Sequence, residues 1–596
     1  MTIKEAKPRS QTPEADTWDL TSIYQDDDQA RQEMANLADL LADFQGYQGQ
    51  LSQGKDQVLA ALADLAKLSR QLEKVYVYAH LKHDQDTTNE DYLQLDASAQ
   101  SLAAQVAEQL AWFTPELLAL DQDLLNDLAQ VPGYEHYFDT LLRQKNHILP
   151  ADQEALLAGA SEIFNNPSQT FSMLNNADLK FGSVTIDGRP VDLTHGSYGV
   201  MLESKDREVR RTAFNQLYQH YDQVKYTLAA TMSGNIKSHN YLAKVYGFAS
   251  ARERALFQNN IPLAVYDELV ATVNDNLHLL HDFVAYRKDQ LGLDEVEMYD
   301  MYTPLAGQAP LKYSFEEAKE VVLAALAPLG DQYINDLKQA FDQRWIDVYE
   351  NIGKRSGAYS SGAYDTNPYI LLNWQDSLND LYTLVHELGH SMHSYYTRKN
   401  QDYIYGDYSI FVAEVASTTN ENLLTEYLLN TVKDKDAQIY ILNHYLDGVK
   451  GTVFRQTQFA EFEQFMHESE AKGQALTADY LTNHYESLNR KYYGPSLSND
   501  ETIGLEWARI PHFYMNYYVY QYATGFCAAT ALAERILGED GSAVNDYLAF
   551  LAAGSSDYPI KVMQQAGVDM TNPNYIQATM NKFEARFSQL RTLLAK

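Results

Sequence analysis

Residues 386 to 390 read His-Glu-Leu-Gly-His within the run DSLNDLYTLVHELGHSMHSYY. On a helix, His386 and His390 lie one turn apart on one face, where two imidazole nitrogens can reach a single metal ion. Glu387 is turned about 100° from His386, near enough to that metal to take a proton from water without being a ligand itself. The chemistry this implies is metal-assisted hydrolysis, as in zinc peptidases. Only three residues of the pattern are specified, so the flanks must support it. Leu381, Leu384, Val385, Leu388 and Met392 recur at helical spacing and predict one buried face. Ser377, three residues before Asp380, predicts a capped start. Gly389 inside a helix costs about 1 kcal/mol relative to Ala, which predicts a close neighbour there. The competing reading is a pair of histidines decorating an ordinary helix.

A catalytic zinc site needs a third protein ligand and one position open to water. The metzincin spacing would require Gly at 393 and His at 396, where His393 and Tyr396 stand, and a thermolysin-like spacing would place Glu near 409, where Ser409 stands. The next acidic candidates, Glu414 and Glu421, share a face of the helix-patterned run IFVAEVASTTNENLLTEYLL. Glu414 is read as the ligand. Glu421 is read as the carboxylate that orients a histidine or the ligand helix, with a solvated helix charge as its alternative. His393, one turn beyond His390, is read as a surface residue, with a supporting role behind the metal ligands as its alternative.

Hydrolysis of a peptide also needs donors aimed at the oxyanion. The chain holds 44 tyrosines, and PHFYMNYYVYQY concentrates Tyr514, Tyr517, Tyr518, Tyr520 and Tyr522 behind His512. On a helix these would point several ways, so most are expected to pack, while His512 with one or two of them could steady the oxyanion.

HELGHSMHS followed by FVAEVASTTNENLL resembles the oligoendopeptidase F branch of the thimet oligopeptidase family of zinc metallopeptidases. GKRSGAYSSGAYDTNPYILLNW, PHFYMNYYVYQYATG and LAAGSSDYPIKVMQQAGVDM resemble it too, in the same order, so the likeness covers most of residues 200–596; FGSVTIDGRPVDLTHG extends it more loosely towards the amino terminus. The resemblance implies one zinc per chain held by His386, His390 and Glu414, with Glu387 as general base. It implies that His512, Tyr517 and Tyr520 bind substrate and the transition state, with Tyr518 and Tyr522 as alternatives to either tyrosine. It further implies a mainly α, two-lobed metallopeptidase with a deep central channel and a few short β-strands near the active site, taking short unstructured peptides and cutting them internally. An exopeptidase or a non-catalytic peptide-binding protein on the same scaffold is the alternative.

The remaining sequence is consistent with such an enzyme. A chain of 596 residues can bury a large core in more than one lobe. A formal charge of -35 without a basic patch argues against nucleic acid or an anionic membrane as partner. Cys527 is the single cysteine, excludes an intramolecular disulfide and reads as a small buried hydrophobe. No run is long and apolar enough for a signal peptide or a membrane span, so a cytoplasmic protein is expected. The sequence leaves the oligomeric state open, with a monomer favoured.

Helix patterns dominate the first 180 residues, for example Val58, Leu62, Leu65, Leu72 and Val75, and return at the end as Met580, Phe583, Phe587, Leu590 and Leu594. Val184, Ile186, Val191 and Leu193 alternate across Asp187-Gly188 and predict a hairpin within 181–195. That hairpin places an amino-terminal helical lobe at 1–200 and a catalytic region at 201–596. NPYILLNW is expected to be an extended edge strand that could pair with a bound peptide's backbone, or else an ordinary buried strand.

Overall fold

Apolar residues at steps of three and four build helices through most of the chain. The computed structural model describes residues 6–305, 311–498, 500–538 and 541–595, and among these are five short strands: β1 (Ser183–Ile186), β2 (Arg189–Asp192), β3 (Ile346–Asp347), β4 (Tyr359–Ser361) and β5 (Tyr369–Leu371). The fold is therefore mainly α. None of the described helices is long and apolar enough to cross a membrane.

Two compact units are formed, each from three stretches: Met1–Asn146, Leu311–Tyr427 and Leu532–Gly567 in the first, His147–Pro310, Leu428–Ala531 and Val568–Lys596 in the second. They do not follow the single cut at residue 200 that the hairpin suggested, since residue 200 lies within the helix His195–Leu202 of the second unit. Compactness follows which faces bury against each other, and helices far apart in the chain complete each core.

In the first unit, the helices Asp27–Gln45, Lys55–Gln85 and Glu90–Leu110 pack their apolar stripes together. Leu37, Leu41, Phe44, Val58, Leu62, Val75 and Leu95 are buried there, Leu65 and Leu72 are partly buried, and Tyr369 and Leu371 of β5 join the same core. β5 is the middle strand of a three-stranded sheet, parallel to β3 and antiparallel to β4, with Ser360 opposite Ile370. The strand expected in NPYILLNW is thus present but is not an edge. Tyr369, Ile370 and Leu371 are all buried, as a strand covered on both faces requires. The edges are β3 and β4.

In the second unit the 39-residue helix Arg207–Val245 buries Phe214, Leu217, Tyr218, Leu228 and Met232 and packs on the helix Arg455–Ala471. β1 and β2 form the expected hairpin, with Val184 opposite Val191 and with Asp187 and Gly188 both at positive φ, the geometry of a tight two-residue turn. The last helix, Asn574–Leu594, buries Met580, Phe583, Phe587 and Leu590. Cys527 is buried as a small core residue.

Candidate metal centre

The helix Leu378–Asn400, called here the histidine helix, begins with a reciprocal cap. The Ser377 hydroxyl accepts from the Asp380 N–H at 3.1 Å, and the Asp380 carboxylate accepts from the Ser377 N–H at 2.9 Å. Leu381, Leu384, Val385, Leu388 and Met392 are buried on one face, as their spacing predicts. Glu414 and Glu421 lie on the helix Ile410–Thr431, the glutamate helix. The two helices cross where Gly389 meets Ser417: a Cβ on Gly389 would stand 2.5 Å from Ser417 Cα and 2.9 Å from the Ala416 carbonyl oxygen. The close neighbour that Gly389 predicts is therefore the backbone of the glutamate helix. Asn420 ties the pair further, donating to the Val385 carbonyl at 3.2 Å.

This crossing brings three ligand atoms together. His386 Nε2 and His390 Nε2 are 3.2 Å apart, and each is 3.4 Å from Glu414 Oε2. Ligand atoms set about 2.0–2.1 Å from zinc in a tetrahedron stand about 3.3–3.4 Å from one another, so the donor set fits the ion in both chemistry and size. These three residues are the one group of its kind among the described residues. His386 Nδ1 donates to Glu421 Oε1 at 2.6 Å, which turns Nε2 towards the centre. Burial lowers the His386 pKa, but Glu421, Glu387 and Glu414 outweigh it and raise it to about 9. Burial pushes the Glu414 carboxyl up, while the hydrogen bond and charge of His390, the charge of His386 and the Ser417 hydroxyl bring it down to about 2.

Glu387 is buried beside the three ligand atoms without belonging to their group. Burial raises its pKa above the ordinary carboxylate value, against the pull of His386 and His390, and the N–H of Ser360 on β4 donates to it. Ser360 also bonds to the histidine helix, its hydroxyl lying 2.8 Å from that of Ser391. Neither serine was singled out in the sequence, because their pairing depends on how β4 lies against the helix. His393 is not the surface residue expected. It is buried, stacked on Tyr408 with ring centroids 3.6 Å apart, and burial lowers its pKa to about 3. It sits one turn beyond His390 on a helix whose face is covered by Tyr408 and Phe550.

His512 and the tyrosines belong to the second unit. The segment is not one helix: a 3₁₀ turn, Pro511–Tyr514, is followed by a reversal at Tyr517, with φ at +52°, and a new helix starts at Tyr520. The reversal sorts the tyrosines. Tyr518 stacks beside His512 with centroids 6.0 Å apart, and the Tyr522 hydroxyl lies 3.3 Å from His512 Nε2. Tyr517 and Tyr520 are buried, each packed against Tyr266. Burial lowers the His512 pKa, and the Arg455 charge lowers it further. Arg455, which the sequence reading passed over, is paired with buried Glu506 at 2.5 Å.

Comparison with known proteins adds an independent line. Residues 200–582 match the model of peptidase family M3, and residues 116–181 match that of oligopeptidase F. Oligopeptidase PepF of Bacillus subtilis is 49% identical over 100% of this chain and 91% of its own length. Group B oligopeptidase PepB of Streptococcus agalactiae is 48% identical over 99% of this chain and 98% of its own. Among solved structures, oligoendopeptidase-F from Enterococcus faecium superposes with a TM-score of 0.74 at 46% identity, covering 95% of this chain and 98% of that one.

Proposed function

The chain belongs to peptidase family M3, and on that footing we propose that it is a zinc-dependent endopeptidase that hydrolyses internal bonds of short unstructured peptides. The observation that carries this reading is the triangle of His386 Nε2, His390 Nε2 and Glu414 Oε2, sized for a tetrahedral ion, with the buried carboxyl of Glu387 beside it. The names of the relatives, oligopeptidase and oligoendopeptidase, support short peptides as substrates. In cells this activity fits the cytoplasm, where a monomer would act on free peptides.

Zinc bound there supplies a Lewis acid that polarises the scissile carbonyl and makes a water molecule more acidic. Glu387 takes the proton of the attacking water and passes it to the leaving amine. Its burial suits this, because a carboxylate short of solvation is a stronger base than an exposed one. The Ser360 N–H holds the carboxylate in place. Glu421 keeps His386 in the tautomer that presents Nε2.

His512 and Tyr522 are the pair proposed to donate to the oxyanion, with Tyr518 against the His512 ring. Their mutual contacts favour them over Tyr517 and Tyr520, whose rings are enclosed in their own unit. β4, as a sheet edge, offers backbone groups to an extended substrate, the recognition mode that needs no particular side chain.

The test is cleavage of an internally quenched, terminally blocked peptide of about ten residues, long enough to lie extended across a cleft. Internal cleavage abolished by a chelator and restored by zinc is expected. Cleavage only of peptides with a free terminus would replace this reading with an exopeptidase.

A further inference from the structure

Tyr517 is the reversal point of the His512–Tyr522 segment, and its φ of +52° is a conformation that bulky aromatic residues rarely adopt. Something must hold it there. Its N–H donates at 2.7 Å to Oε1 of Glu463, on the helix Arg455–Ala471. Glu463 is completely buried, and its other oxygen, Oε2, has no hydrogen-bond partner. Tyr517 packs between that helix and the helix Leu263–Asp275. The Tyr517 ring lies 4.7 Å from that of His467 and 5.6 Å from that of Tyr266. His467 Nδ1 donates to the Glu463 carbonyl at 3.0 Å, and the Tyr266 hydroxyl donates to the Ala460 carbonyl at 2.6 Å.

We propose that Glu463 is a positioning residue for the reaction: by capturing the Tyr517 amide it fixes the left-handed turn that sets Tyr518 and Tyr522 against His512. A buried carboxyl with an unsatisfied oxygen is costly for a fold, and a fully apolar side chain would serve packing alone better. An apolar residue at 463, however, would leave the Tyr517 N–H without a partner in the interior, and the left-handed turn would lose the bond that compensates for it. Burial raises the Glu463 pKa well above its ordinary value, which favours the protonated form, while the Tyr517 N–H pulls the other way. A turn of ordinary hand at 517 would redirect everything after it, including the start of the helix at Tyr520 and with it the Tyr522 hydroxyl that meets His512.

The proposal rests on the reading of His512 and Tyr522 as transition-state donors. Its test uses the zinc-loaded full chain and the blocked, quenched peptide. Glu463→Gln keeps an oxygen acceptor and should hold kcat within about twofold, whereas Glu463→Met should lower kcat about tenfold or more. Pairing Glu463→Met with Tyr522→Phe separates positioning from simple loss of folded protein. If Glu463 works through the segment, the double variant falls little below Glu463→Met alone; if the residue is only structural, the two losses multiply and the proposal is overturned. Should Glu463→Met fail to fold, Glu463→Asp, whose carboxyl is withdrawn by one methylene, is expected to show the same loss and the same failure to multiply. Wild-type kcat in Glu463→Met, or in Glu463→Asp where that stands in for it, beside a crippled Tyr522→Phe overturns the proposal and leaves the reading of the segment intact. Full activity in both Tyr522→Phe and His512→Gln overturns that reading and the proposal with it.

Discussion

Gly389 of the histidine helix lies directly against Ser417 of the glutamate helix, so that a Cβ on the glycine would stand 2.5 Å from Ser417 Cα and 2.8 Å from Ser417 N. The atoms in the way are backbone, which cannot turn aside as a side chain could. The distance between the two helices, and therefore the reach of Glu414 to the histidines, is set by the absence of one carbon.

Gly389→Ala should accordingly destabilise the protein, although alanine is intrinsically the better helix former by about 1 kcal/mol. Overpacking of this kind costs about 1–3 kcal/mol, and displacement of Glu414 should weaken zinc binding by about tenfold or more. Thermal unfolding and a competition titration with a zinc chelator measure the two effects. A variant with native zinc affinity would show that the helix crossing does not govern the ligand triangle.

Glu387→Gln removes the proposed base while nearly keeping its shape. Bound zinc should remain at one per chain and kcat should fall by about 10² or more. Metal analysis beside peptide cleavage checks both, and substantial turnover by the zinc-loaded variant would rule out the assigned role.

Glu421→Ala should leave His386 without the acceptor of its Nδ1–H, a bond of 2.6 Å. Loss of such a partner typically weakens metal binding about 10–100-fold. The chelator concentration that halves activity should drop correspondingly, and an unchanged value would make Glu421 a mere surface charge.

Tyr522→Phe and Tyr520→Phe distinguish the two candidate hydroxyls. The first removes the group lying 3.3 Å from His512 Nε2 and should lower kcat about 10-fold or more, while the second should leave it within about twofold. The reverse order would return the donor role to the tyrosine that the family resemblance suggested.

Glu463 makes a prediction about pH and stability. Its folded pKa is raised well above 4.5 by burial, so below pH 4.5 both states hold the proton and the native packing is fully supported. As pH rises above 4.5 the unfolded chain releases that proton and the folded one does not, so stability falls towards the folded pKa. The groups facing it, His467, Tyr266, Tyr517 and Tyr520, offer no charge to offset this at neutral pH. Denaturation midpoints of wild type and Glu463→Gln measured from pH 5 to 8, an interval above the ordinary carboxylate pKa, should diverge in favour of the glutamine variant. Parallel curves would contradict the buried neutral carboxyl.

Local spacing was enough to identify several parts of this molecule. His386, Glu387 and His390 are ordered by the helical repeat, the cap by Ser377 and Asp380, and the hairpin by Asp187-Gly188, because each depends on atoms a few residues apart. Gly389 was informative in the same way: a residue unfavourable to its own helix pointed to a neighbour outside it. Where the sequence reading failed, the deciding contact was distant. His393 looked exposed until Tyr408 and Phe550 were packed over it. For NPYILLNW the sequence left an edge strand and a buried strand open, and the flanking β3 and β4 select the buried one.

By itself, then, the sequence determined the helical class, the two histidines with Glu387 between them on one helix, and Glu414 as an acidic candidate on the next apolar helix. Periodicity alone carries that information. Only the tertiary structure decided that the candidate ligand atoms stand 3.2–3.4 Å apart, that Ser360 donates to Glu387, and that Tyr518 and Tyr522 contact His512. The physical reason is that these outcomes turn on helix-crossing distances and on one reversed dihedral, both imposed by packing partners that lie far away along the chain.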